Sequence, residues 1–235
     1  MTFVQIIDCR TSRVEELNRL MDRWVEQTRG KRTATHSVVG TDRSDASHVV
    51  EIVEFPSYDV AMRNSQLPET DRIFRELVAL CDEMPTFTDL DVVRDEALYK
   101  TNARQVFERL ADGSDLALLD TLLAEGYHDH DPAKPQDAIG LDAVRREVDE
   151  WRKGFDFAFA VDDQIADGDR VCTRWTWRGS HVGDFMGLQP TGMEVTMTGT
   201  TIHRFRDDGK IAEGWWQYDL LGLMGQLGAV EAQGA

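Results

Sequence analysis

Cysteine is scarce in this chain: Cys9, Cys81 and Cys172 are far apart and form no CxxC pair. A disulfide framework needs a denser, even set, so reduced thiols in a cytoplasmic protein are the expectation. Positive charge is short as well, with 26 basic against 43 acidic residues and a net charge of −17. Nucleic acids and anionic membranes both demand a basic footprint, so neither is expected as a partner. No window approaches the roughly 18 unbroken apolar residues that a membrane span requires. The opening MTFVQIIDCR lacks a basic region followed by an apolar run, and no secretory signal is expected from it. Gly183, Gly187 and Gly192 are irregularly spaced and lead into a strand, which disfavours a phosphate-cradling loop. There is no G-x-S-x-G element and no cysteine nucleophile with an evident partner.

What is present is patterned. Thr2 to Asp8 alternates as a strand does, and Ser12 with Glu15 three residues on reads as a capping box. Val14, Leu17, Leu20, Met21, Trp24 and Val25 then mark one apolar helix face, which Gly30 ends. Thr33 to Val39 and His48 to Phe55 read as strands, Tyr58 to Asn64 as a short helix. Pro68 opens another helix with a stripe from Ile73 to Cys81, and Phe87 to Val93 reads as a last strand. The order β-α-β-β-α-β predicts a ferredoxin-like antiparallel sheet with helices on one face, over residues 1–95.

The charged Val93-Arg94-Asp95-Glu96 segment marks a boundary, and a second domain is expected over 96–235. Thr101 to Leu110 and Leu116 to Ala124 read as helices separated by a stop and a new cap at Asp112-Gly113-Ser114, with a third helix over Leu141 to Trp151. Phe155 to Ala166, Arg170 to His181, Met193 to Phe205 and Lys210 to Asp219 read as long strands, the last two joined by an Asp207-Asp208-Gly209 turn. Helices followed by antiparallel strands predict an α+β fold with helices covering a curved sheet. Trp175, Trp177 and Trp215 are candidates for the walls of the enclosed pocket.

Two resemblances follow. Residues 1 to about 95 resemble the antibiotic-biosynthesis-monooxygenase-like dimeric α/β-barrel proteins in element order, which would pair two sheets face to face. His36 and His48 would then be candidates to line the enclosed space, beside ordinary strand roles. The runs YHDHDP, RGSHVGDFMGLQPTGMEV and IHRFRDDGKIAEGWWQYDLLGLMGQLG resemble the SnoaL-like polyketide cyclases, or ester cyclases, over about residues 97 to 228. That resemblance implies the cone-shaped nuclear-transport-factor-2-like fold and an intramolecular aldol ring closure without metal or organic cofactor. It also implies a hydrophobic, carbonyl-bearing substrate, and both halves resemble families that form dimers, so a homodimer is expected.

By its place in the last run, Asp219 matches the family's acid/base aspartate. Its competing role is to cap the helix that starts at Leu220. On an alternating strand Trp215, Gln217 and Asp219 share one face, while Trp216 and Tyr218 share the other. His130 matches a pocket-facing position of the family, with His128 on the same strand face. That pair invites a metal reading, but no third ligand stands at a motif spacing and the resemblance implies no metal. His181 is a candidate carbonyl donor or loop anchor, and His203 a candidate carbonyl polariser or a surface residue. Asp219, His130 and His181 are thus the catalytic candidates; Trp175, Trp177, Trp215, Gln217, His128 and His203 are the substrate-binding ones. The rival readings are a small-molecule binding protein without catalysis, and a hydrolase or hydroxylase on the same fold. Epoxide hydrolases of this fold use an Asp-Arg-Asp cluster, and that set does not assemble from the sequence.

Overall fold

The protein is described here by a computed structural model covering residues 2–95, 97–111, 113 and 115–230. The chain forms two compact units, residues 1–95 and 96–235. No helix among the described residues is long and apolar enough to cross a membrane.

The first unit runs β1 (Phe3–Arg10), α1 (Val14–Gln27), β2 (His36–Thr41), β3 (His48–Phe55), α2 (Tyr58–Ser65), α3 (Pro68–Leu80) and β4 (Thr86–Asp91). Its strands form one antiparallel sheet in the order β2-β3-β1-β4. Helix α1 buries Leu17, Leu20 and Trp24 against Cys9 and Val49 of the sheet and Ile73 and Leu77 of α3. The capping box expected at Ser12 does not form, because Arg13 is the N-cap and supplies no side-chain bond. Thr11 takes over instead: its Oγ1 accepts from the Arg13 N–H at 3.0 Å and donates to the Leu80 carbonyl at 2.7 Å. Strand β2 starts later than its pattern predicts because Thr33 is tied to α2, through Asn64 Oδ1 and the Val60 carbonyl.

Side chains alternate across this sheet. One face packs under the helices; the other carries Val38, Ile52 and Leu90, all exposed. His36 and His48 lie on that second face. His48 Nε2 stands 2.9 Å from Asp8 Oδ2, and His36 stands 3.7 Å from Glu54. The cysteines are free thiols, and burial pushes that of Cys9 up to about 12, far from a reactive thiolate.

The second unit runs α4 (Leu98–Gln105), a π-helical turn (Val106–Ala111), a 3₁₀ turn (Leu116–Leu118), α5 (Leu119–Leu122), β5 (Leu123–His130), β6 (Ala138–Ile139), α6 (Leu141–Gly154), β7 (Phe155–Asp167), β8 (Arg170–His181), β9 (Glu194–Phe205), β10 (Ile211–Tyr218) and α7 (Leu220–Gln226). The sheet order is β6-β5-β10-β9-β8-β7. Helix α4 and the π-helical turn bury Ala103, Val106, Phe107 and Leu110, at spacings of three and four, on the sheet's inner face. The expected stop at Asp112 and Ser114 lies outside the described residues.

Two differences from the sequence pattern matter for the site. Residues 116–124 are not one helix, because the chain turns at α5 and enters β5 at Leu123, where Leu123 and Ala124 are buried as strand residues. Strand β5 pairs with β10 in parallel, so the sheet is mixed rather than wholly antiparallel.

A register shift between Ile211 and Glu213 sets which residues of β10 look inward. It puts Gly214 on the inner face, where a Cβ would lie 2.1 Å from Tyr127 Oη. Trp216 and Tyr218 follow on the same face by strand alternation. Replacing Gly214 with Ala should therefore cost about 1–3 kcal/mol of stability in urea unfolding, the usual penalty of overpacking. Adding Tyr127→Phe, which removes the atom the new methyl meets, should recover part of that loss.

Candidate active site

The helices and the inner sheet face enclose a cavity of about 90 Å³. Its walls are largely aromatic, with Phe157, Phe159, Trp175, Trp177 and Trp216 among them. Trp175 is fixed by its indole N–H, which donates to Thr201 Oγ1 at 2.9 Å, so the large ring has both a packed body and a satisfied polar atom.

The polar groups of the cavity come from three elements. Strand β5 alternates, and its sequence Tyr127-His128-Asp129-His130, continued by Asp131, sends the odd residues inward and the histidines outward. Asp129 and Asp131 are buried, at 6% and 8% exposure. Helix α6 presents the stripe Val144, Glu147, Val148 and Trp151, so a carboxylate sits inside an otherwise apolar helix face. Strand β10 supplies Trp216 and Tyr218.

These groups form two hydrogen-bonded sets. Asp129 Oδ1 accepts from Tyr127 Oη and from Trp216 Nε1, each at 2.6 Å. Glu147 comes within hydrogen-bonding reach of the same carboxyl, and Lys134 Nζ donates to Glu147 from the loop after β5. Tyr218 Oη donates to Asp131, 2.8 and 2.9 Å from its two oxygens, and Asp131 also accepts from the Ala133 N–H at 2.9 Å.

Burial drives the Asp129 carboxyl up to about 7, because an ion in this aromatic enclosure loses its hydration, and the neighbouring Glu147 charge pushes the same way. The donors Tyr127 and Trp216 oppose the rise without cancelling it. Burial also raises both tyrosines, with Asp129 beside Tyr127 and Asp131 beside Tyr218 adding to it. Both phenols are therefore donors at neutral pH. A carboxyl that gains and loses its proton near neutrality inside a largely apolar pocket is suited to acid/base work.

The sequence-derived candidates are distributed differently. Of the three tryptophans expected as walls, Trp175 and Trp177 line the cavity and Trp215 does not. Asp219 does not: it is an exposed N-cap of α7 whose Oδ1 accepts from the Gly222 N–H at 2.8 Å. Trp215 and Gln217 share a face of β10, which the register shift turns outward, while Asp219 lies past the strand end. Gln217 is exposed, and Trp215 stacks on His130 with ring centroids 5.1 Å apart. His128 and His130 face outward with it, both meeting Asp137 Oδ2 at 2.8 Å.

His181 is fully buried beside Phe155, with Nδ1 3.1 Å from Thr191 Oγ1, and so anchors the loop between β8 and β9 rather than the cavity. His203 is likewise fully buried, packed against Phe107 and Trp216 behind the cavity wall. Burial pulls it down to about 3, and neither ring nitrogen has a hydrogen-bond partner. It is a neutral core group and not a carbonyl polariser. The polar residues that do line the cavity are Asp129, Asp131, Glu147, Tyr127 and Tyr218, none of them among the sequence-derived candidates. The available signals were the D-x-D spacing on β5, a glutamate within the apolar stripe of α6, and Gly214 marking the crowded face of β10.

Comparison with known proteins identifies the second unit. The family model for SnoaL-like polyketide cyclases matches residues 101–227. Among solved structures, TsrD from Streptomyces laurentii is 27% identical, with TM-score 0.51, over 58% of this chain and 100% of that one. A protein from Acidithiobacillus ferrooxidans, described as a polyketide cyclase, is 25% identical with TM-score 0.51, over 57% of this chain and 97% of its own. One from Jannaschia sp. CCS1, described as a SnoaL-like polyketide cyclase, shares the fold at 20% identity and TM-score 0.53, over 60% of this chain and 99% of its own. No curated protein sequence matches this chain. With more than half of its length matched by the family, the chain belongs to the SnoaL-like polyketide cyclases.

Proposed function

We propose that the second unit catalyses an intramolecular aldol cyclisation, without a cofactor, on a small molecule that carries several carbonyl groups. Asp129 is the general acid/base. The observation that carries this reading is a buried carboxyl raised to about 7 among aromatic walls, with both neighbouring donors on one of its oxygens. Tyr127 and Trp216 hold Oδ1, which leaves Oδ2 to take a proton from a carbon flanked by two carbonyls. The resulting enolate carbon bonds to a second carbonyl carbon within the same molecule. The new alkoxide takes the proton back from Asp129, so no net acid or base is consumed. Glu147 keeps the Asp129 proton affinity high, and the Tyr218–Asp131 pair orients the substrate.

The cavity of about 90 Å³ is smaller than the roughly 300–1,000 Å³ usual for ligand sites. The reading therefore assigns it to the reacting end of the substrate, with the remainder outside. Among the described residues no arginine lines the cavity, so the Asp-Arg-Asp arrangement of an epoxide hydrolase has no support there.

The first unit is read as a ferredoxin-like dimerisation domain of the dimeric α/β-barrel type. Its βαββααβ order, with α2 a short addition to the expected pattern, and the exposed Val38, Ile52 and Leu90 on the uncovered sheet face support that reading. A second copy, laid face to face, would remove those side chains from water.

Proton exchange at the central carbon of a small 1,3-dicarbonyl probe, followed by NMR in deuterated water, tests the chemistry without knowledge of the natural substrate. The wild-type rate should rise as pH passes through about 7, and Asp129→Asn should lower it about 10²–10⁴-fold, the usual worth of a positioned acid/base group. Asp219→Ala should keep the rate and lose only about 0.5–2 kcal/mol of stability, as a lost helix cap does. Equal rates in wild type and Asp129→Asn would overturn the assignment, and full loss in Asp219→Ala would return it to Asp219.

Stability should report the same group. The folded protein holds the Asp129 proton more tightly than the unfolded chain, so this stabilisation is complete below about pH 4 and lost as pH rises through about 7. Thermal unfolding at pH 5 and pH 8 should show a smaller loss at high pH in Asp129→Asn than in wild type. For the first unit, Ile52→Arg should convert a dimer to a monomer in sedimentation without changing the circular dichroism spectrum.

A further inference from the structure

We infer that His128, His130 and Asp137 form a binding site for a divalent transition-metal ion of the zinc type, on the outer face of β5. This site stands apart from the cavity, and it does not depend on the cyclase reading. The ligand-bearing atoms are already assembled. His128 Nε2 and His130 Nδ1 each lie 2.8 Å from Asp137 Oδ2, and the three donor atoms lie within 4.8 Å of one another. Bonds of 2.0–2.1 Å to nitrogen and oxygen put neighbouring ligand atoms about 2.9–3.3 Å apart, so small closing motions bring all three onto one ion. Two imidazoles and one carboxylate are a donor set that suits zinc and its neighbours. The three side chains retain 26–42% exposure, which leaves the ion a path from solvent and room for water ligands.

The surroundings hold His130 in the orientation that coordination requires. Its ring stacks on Trp215 at an interplanar angle of 8° and on His128 at a centroid distance of 4.1 Å. Its far nitrogen, Nε2, faces Glu213 Oε2 at 3.4 Å, and Arg204 holds Glu213 in place. A carboxylate placed behind an imidazole in this way is how ligating histidines are commonly oriented.

His130 stands between two carboxylates, Asp137 on Nδ1 and Glu213 on Nε2, and its Nε2 is buried without a hydrogen-bond partner. His-x-His alone lacked a third ligand at a motif spacing. Asp137 supplies it from beside β6, which pairs with β5 as His128↔Ile139 and Asp129↔Ala138.

Bound there, the ion would tie β5 to the far end of the loop that follows it. That loop carries Lys134, the partner of Glu147, and the same strand carries Asp129 on its other face.

Untagged full-length protein, stripped with a chelator, should be titrated with Co²⁺ and followed by visible absorption, then challenged with Zn²⁺. One equivalent of Co²⁺ should bind and give an imidazole-coordinated spectrum, which one equivalent of Zn²⁺ erases. His128→Ala and Asp137→Ala should abolish the band. Glu213→Gln should weaken affinity about 10–100-fold with the band's shape retained, as loss of an outer partner does. Thermal unfolding of wild type should rise by about 5 °C or more at Zn²⁺ concentrations 100-fold above Kd, with no rise in His128→Ala. No cobalt band in the wild type, or an undiminished band in His128→Ala or Asp137→Ala, would overturn the assignment whatever the activity of the protein.

Discussion

The second unit depends on one balance: a carboxyl kept out of water among tryptophans and phenylalanines, and the donors that make this tolerable. A buried carboxylate with no partner costs several kcal/mol, and the ordinary outcome is that it stays protonated or the chain is remodelled around it. Tyr127 and Trp216 reduce the cost for Asp129, yet they leave its proton affinity high. The position of Tyr127 in turn requires Gly214, because its hydroxyl occupies the space a side chain on β10 would fill. The geometry of two neighbouring strands is therefore set around one carboxyl, and the register shift in β10 is part of that arrangement.

The two faces of β5 divide the chemistry. Inward, Tyr127, Asp129 and Asp131 meet an apolar enclosure, where desolvation dominates and proton affinities move. Outward, His128 and His130 meet Asp137 and Glu213 with solvent nearby, where geometry and charge pairing dominate. A strand period of two is all that separates these environments. The same alternation on β10 sends Trp216 to the carboxyl and Trp215 to the histidine stack, so adjacent tryptophans serve different sites.

Much of the fold was legible. Long alternating runs located β7, β8, β9 and β10 to within a residue or so, and the apolar stripes located α1, α3 and α6. Strand β5 was not, because Leu116 to Ala124 carries a leucine-rich pattern that satisfies helix and buried strand alike; tertiary pairing with β10 decides it. The site was less legible than the fold. Parity grouped Trp215 and Gln217 but not the direction they face, since a shift between Ile211 and Glu213 is invisible in composition. His128 and His130 drew attention as histidines while the aspartates between and after them went inward. A family position, transferred onto Asp219, does not tell a cap from a catalyst; the hydrogen bond from the Gly222 N–H shows the cap, and the cavity lies elsewhere.

The buried histidines show why residue type alone misleads here. His203 has every outward mark of a catalytic group in sequence, lying on a strand beside arginines, yet it sits neutral and without a partner behind Trp216. Its ring packs against Phe107 and against the indole that holds Asp129. A protonated His203 would place an uncompensated charge in that core, and the desolvation that prevents this is the same effect that raises Asp129. One apolar enclosure thus removes charge from a base and from an acid at once. Of the two, only the carboxyl is left able to ionise near neutrality, because only it has donors waiting for its negative form.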